Sequence, residues 1–279
     1  MFDILDFDAN FAAYSEKWIE MNKGKFKTFE EMEDAMPEVY LHWLNEPAAF
    51  LEGATPGTYF TQFDSAPELI KWMRLYDEAE VNIPDQLMDR IADLGKDRSL
   101  RPLMYTAKNE DYSRTVRISA LNLIKELDAG DEPLQLCLNL IDNRDDDDDL
   151  ADVAAELLTE IAGSHIDELL SRLPEVNDSA RETYLDVLAN FPGDDRIVDA
   201  VLNEFEERTD KTALYASFLG KLGSERAVPA LKEALDRPEI NYLDYLEVRN
   251  AIEALGAECD HKRDFNGDRY YEALANPEE

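Results

Sequence analysis

The sequence predicts an all-α fold, an α-α superhelix of about five stacked helix pairs behind an aromatic-rich helical N-terminal cap. Two observations carry this reading. From Ile83 onward apolar residues recur at helical spacing with little strand signal. In addition, glycines that close apolar helices stand at Gly95, Gly130, Gly163, Gly193, Gly223 and Gly256, at intervals of 35, 33, 30, 30 and 33 residues. Such an interval holds two short helices and two turns. Neither helix can bury its apolar face alone, so the pairs must stack.

The elements follow in order. Residues 1–82 hold all three tryptophans (Trp18, Trp43, Trp72) and are broken by Pro37, Pro47, Gly53, Pro56, Gly57 and Pro67. Short helices fit FAAYSEKWIEMNKG, EVYLHWLN and APELIKWMRLYDEAE, and the segment reads as a cap over the first repeat. Residues 83–256 carry the repeats. In PDQLMDRIADLG, Leu87, Ile91 and Leu94 fall on one face, and in DDRIVDAVLNEFEER, Ile197, Val198, Val201, Leu202 and Phe205 make a broad apolar stripe. Residues 257–279 form a C-terminal capping tail in which DFNGDRYYEALANPEE adds a last helix, with Tyr270 and Tyr271 against the final repeat.

The segment LGSERAVPALKEAL (Leu222 to Leu235) followed by VRNAIEALG (Val248 to Gly256) resembles the short HEAT-like repeat first noted in bilin lyases. LGKDRSLRPL with YSRTVRISALNLI repeats the pattern, and the resemblance implies that Asp111 pairs with Arg117 across the turn. Between Gly130 and Gly223 the match is in period and apolar positions alone. The resemblance implies a HEAT-like solenoid, a fold that serves scaffolds and enzymes alike.

Charge narrows the partners. The chain sets 63 Asp and Glu against 28 Lys and Arg, a net charge of −35, which repels nucleic acids and anionic membranes. The excess suits a basic protein partner, but solubility of a long surface or salt adaptation would produce it as well. No apolar run is long enough to span a bilayer, and MFDILDFDAN carries acids where a secretory signal carries Lys or Arg, so a cytoplasmic protein is expected. Cys137, inside LQLCLNLI, reads as a buried small hydrophobe.

Chemical motifs are sparse. The run Asp145 to Asp149 lacks the glycine and the alternating ligands of a calcium loop, and reads as a solvated turn that caps the helix beginning near Leu150. DFNGD reads as a turn. His42, His165 and His261 are isolated, and no nucleophile elbow or phosphate loop occurs. The expectation is a non-catalytic protein without metal or cofactor. On the second helices of the pairs, Tyr184, Tyr215 and Tyr245 stand among Glu182, Asp186, Asp244 and Glu247. An aromatic and acidic lining of the concave face would take a basic or extended protein segment. Packing of the tyrosines between repeats is the plainer reading. An acidic nucleic-acid mimic acting as an inhibitor or immunity protein, or an enzyme with an unassigned site, are the alternatives in function.

Overall fold

The computed structural model describes residues 4–275, and among these all regular secondary structure is helical, in sixteen α-helices and five short 3-10 turns. The chain divides into two compact units, the first reaching Leu136 and the second starting at Cys137.

In the first unit α1 (Phe7–Asn22) starts where the Asp6 carboxylate accepts the Ala9 N–H at 2.8 Å. Next come α2 (Phe29–Glu33), α3 (Met36–Asn45) and two 3-10 turns, Ala49–Leu51 and Pro56–Gln62. These short pieces are held by rings. Phe7 stacks on Phe60 at 5.6 Å and meets Phe50 edge-on at 5.8 Å, while Trp43, Trp72 and Tyr76 are buried. Each such ring removes a large apolar area from water, which compensates for the shortness of the helices. α4 (Ala66–Glu78) packs on α5 (Asp85–Asp93), α6 (Lys96–Lys108) and α7 (Arg114–Glu126), and α6 and α7 lie along each other. Leu69 and Met73 of α4, Leu87 of α5, Leu103 of α6 and Leu121 of α7 are fully buried. The aromatic segment and the first helix pair therefore share one unit.

The second unit begins within α8 (Leu134–Asp142) and continues through α9 (Asp149–Ile161), α10 (Ile166–Arg172), α11 (Asp178–Leu188) and α12 (Asp195–Glu207). It ends with α13 (Thr212–Leu222), α14 (Val228–Ala234), α15 (Tyr242–Ala254) and α16 (Arg269–Ala275). Helices pair as neighbours, α12 with α13 and α14 with α15, and second helices of successive pairs also pack, α9 on α11 and α13 on α15. The α13 to α15 approach is close because Gly220 faces α15. A Cβ there would lie 3.4 Å from the Ala251 Cα and 3.5 Å from its Cβ. In the final helix Tyr271 packs edge-on to Tyr242 at 5.0 Å, whereas Tyr270 lies under the Arg269 guanidinium at 4.4 Å.

Two sequence expectations need correction. Five of the six spaced glycines take positive φ, as Gly223 does at 67° in closing α13, but Gly163 does not. It sits in a 3-10 turn where a Cβ would come 3.3 Å from the Phe191 ring, so packing selects it. Nor does Arg117 pair with Asp111. Its Nε donates to the Ala107 carbonyl at 2.9 Å, at the C-terminal end of α6. That choice recurs. Arg181 donates to the Leu173 carbonyl at 2.9 Å, Arg237 to Phe205 at 3.4 Å, and Arg263 to Leu235 at 3.3 Å. Carbonyls at a helix end lack intrahelical donors and carry the negative end of the dipole, so a guanidinium satisfies both needs.

Candidate functional site

Three second helices of the second unit, α9, α11 and α15, start from side-chain caps, whereas α13 has no cap from its own N-cap residue. Asp148 accepts from the Leu150 and Ala151 N–H groups, Asn177 from Ala180 at 2.8 Å and Asn241 from Asp244 at 3.0 Å. The aspartate run is thus a turn in which Asp148 caps α9, Asp147 takes φ of 57°, and Asp146 accepts from the Ser179 hydroxyl. Arg144, just before the run, donates to the Thr183 hydroxyl and pairs with Asp152 at 3.1 Å. The turn is thereby fixed to the start of α11.

α9, α11 and α13 together line a cleft of about 510 Å³. Its carboxylates are Asp152 and Glu156 from α9 and Glu182 and Asp186 from α11; its cations are Arg144 and Lys221; Leu214 and Phe218 of α13 supply apolar surface. Glu182 accepts from Lys211 at 3.1 Å, and Asp186 from Lys221 at 2.8 Å. Each helix contributes residues spaced as one helical stripe, for instance Leu214, Ser217, Phe218 and Lys221.

The tyrosines expected in this lining are elsewhere. Tyr184 and Tyr215 are fully buried and Tyr245 nearly so. Helical geometry explains the first case: Tyr184 follows Glu182 by two residues, about 200° around the helix, so the two cannot share a face. The Tyr184 hydroxyl donates to Asp142 at 2.5 Å, and burial, then that hydrogen bond, hold its pKa above the ordinary phenol value. Asp142 also accepts from Arg172 at 2.5 Å. Tyr215 is raised chiefly by burial, and its hydroxyl has no hydrogen-bond partner among the described residues. Tyr245 ties down the tail, donating to the His261 carbonyl at 2.8 Å with its ring 4.8 Å from that of Phe265.

The acids divide in the same way. Glu182 and Asp186, four residues apart, both reach the cleft. Asp244 does not: it accepts the Ala213 N–H at 3.2 Å and an Asn241 side-chain N–H at 2.5 Å, and burial raises its pKa against the lowering effect of those bonds. Glu247, also outside the cleft, receives Asn250 at 3.5 Å. Sequence reading missed Arg144, Asp152, Glu156 and Lys221. The i, i+3, i+4, i+7 stripe of α9, Asp152, Ala155, Glu156 and Thr159, was the signal that could have found Asp152 and Glu156.

Residues 216–237, from the last turns of α13 through α14, match the family model of the PBS lyase HEAT-like repeat. Those residues carry a HEAT-like repeat, and the all-helical pairing around them is consistent with a stack of such repeats. No curated protein matches the sequence. The matched repeat holds Gly223, which ends α13, and Arg237, which reaches back to α12. No three His, Cys, Asp or Glu among the described residues are placed to hold a metal ion, and no described helix is long and apolar enough to cross a membrane.

Proposed function

We propose that this protein is a non-catalytic HEAT-like scaffold that takes an extended basic segment of a partner protein on the α9, α11 and α13 face. Stacked helical repeats present extended surfaces of this kind to partners. The observation that carries the reading is the cleft composition, four carboxylates against two cations beside the apolar surface of Leu214 and Phe218. Arg144 and Lys221 already pair with Asp152 and Asp186, and the Lys221 pair is exposed on both sides, so an incoming Lys or Arg there would exchange one exposed ion pair for another, a small net gain per contact. Affinity would then come from several such contacts together with apolar burial, and steering from the net negative field. The buried tyrosines take no part.

The test is fluorescence polarisation with an extended Lys- and Arg-rich peptide and an acidic peptide of equal length. Binding of the basic peptide alone, at least about tenfold weaker in Glu156→Gln plus Asp186→Asn, is the expected result. Equal affinity in the variant would move the interface off this cleft. The acidic character also motivates the second reading, a mimic of nucleic acid; duplex DNA competing for a captured DNA-binding partner would favour it over a groove binder.

A further inference from the structure

The first unit contains a second cleft, of about 620 Å³, formed by α1, α3, the connection from α4 to α5, and α7. One wall is aromatic. Phe11 meets Tyr40 edge-on at 4.9 Å and Trp43 at 5.3 Å, and Tyr40 and Trp43 stack at 5.7 Å. The wall is pinned from α5, because the buried Gln86 donates its side-chain N–H to the Tyr40 hydroxyl at 2.8 Å. The charged residues of the lining are all acidic, Asp8, Asp77, Glu80 and Asp85, with no Lys, Arg or His among the lining residues. Asp8 accepts from Asn82 at 2.7 Å, a neutral partner. In this respect it differs from the α9, α11 and α13 cleft, whose acids have cations beside them.

An aromatic face is the negative end of the ring quadrupole, so it attracts cations and repels anions, and carboxylates without a cation among the lining act in the same direction. The volume lies in the range of small-ligand sites. We propose that this cleft binds an organic cation, an ammonium or guanidinium head on an apolar stem, with the head among Asp77, Glu80 and Asp85 and the stem along Phe11, Tyr40 and Trp43. Alkylated ammonium heads fit best, because they combine charge with apolar surface and are weakly hydrated. The cation can arrive as a free small molecule or as a Lys or Arg side chain of a partner. The proposal does not depend on the scaffold reading, since it concerns other helices.

Titration of the full chain with choline and with its neutral isostere 3,3-dimethyl-1-butanol tests this, followed by calorimetry and by tryptophan fluorescence, since Trp43 lines the cleft. Saturable binding of choline at one site per chain, at least about tenfold tighter than the alcohol, is expected. Glu80 takes φ of 54°, a conformation that glycine adopts without strain. Glu80→Gly combined with Asp85→Asn should therefore weaken choline at least tenfold while the melting temperature holds or rises, which separates loss of binding from loss of folding. A short peptide bearing trimethyllysine forms the other arm: tighter binding than choline assigns the site to a protein side chain, weaker binding to a free cation. Equal affinity for choline and the alcohol, unchanged affinity in the double variant, or no binding of either choline or the peptide would overturn the proposal.

Discussion

Tyr184 and Tyr215 are both fully buried on second helices, yet their hydroxyls differ. Tyr184 donates to Asp142 at 2.5 Å, whereas Tyr215 has no hydrogen-bond partner among the described residues. Removing a satisfied hydroxyl loses its bond, while removing an unsatisfied one relieves a desolvation cost. Tyr184→Phe should therefore destabilise by about 1–2 kcal/mol and Tyr215→Phe should be neutral or stabilising, as read by urea denaturation of the two variants. The opposite order would contradict the assigned hydrogen bonds. Cys137 offers a second test, since burial pushes its thiol from 9.0 up to about 12. A folded pKa above the unfolded one gives stability that is complete below pH 9 and lost as pH rises from there toward 12. Cys137→Ser, whose hydroxyl does not ionise in this range, should flatten that part of the stability profile. A thiol reagent at pH 8 should likewise modify Cys259 in the native protein and both cysteines only in denaturant.

At the scale of elements, arginines hold helix ends across turns. Arg263 donates to the carbonyls of Arg237 at 2.6 Å, Pro238 at 2.9 Å and Leu235 at 3.3 Å, and so clamps the tail to the end of α14. Charged donors contribute more than neutral ones, about 1.5–3 kcal/mol each when well formed. Arg263→Ala should cost about 2 kcal/mol and speed amide hydrogen exchange in residues 257–275, while exchange in α9 and α11 stays as it was. Uniform acceleration throughout the second unit would show that the clamp supports more than the tail.

For the molecule as a whole, charge dominates. Even if every one of the 28 Lys and Arg paired with an acid, 35 of the 63 acids would stay uncompensated. The excess is larger in the second unit, where 36 acids face 14 basic residues, against 27 and 14 in the first. Most of the ion pairs are solvent-exposed on at least one side, as Arg196 with Asp167 is, and exposed pairs contribute little. Repulsion should therefore outweigh pairing. The melting temperature is expected to rise by several degrees between about 10 mM and 500 mM salt, because screening weakens the repulsion that extends over a Debye length. A fall over the same range would mean that the ion pairs dominate.

Periodicity was enough to place the helices. Ser113, Asn177 and Asn241 cap the second helices, and Leu121, Leu185 and Ile252 sit at apolar helical positions that turned out buried. Such features depend on residues three or four apart in the chain, which local geometry brings together wherever the helix forms. Which neighbour a side chain finds across a turn was not legible in the same way. Arg117 had an acid within reach and took a carbonyl, and Tyr245 met His261 of the tail. The lining of each cleft also depended on tertiary packing, since the acids of α9 join those of α11, and Tyr40 joins Gln86, across 46 residues of chain. The sequence by itself determined that the chain is helical, paired and acidic, because those properties reside in composition and short-range spacing. Tertiary structure alone decided which tyrosines are core and which acids share a cleft, because burial is set by the helix packed opposite.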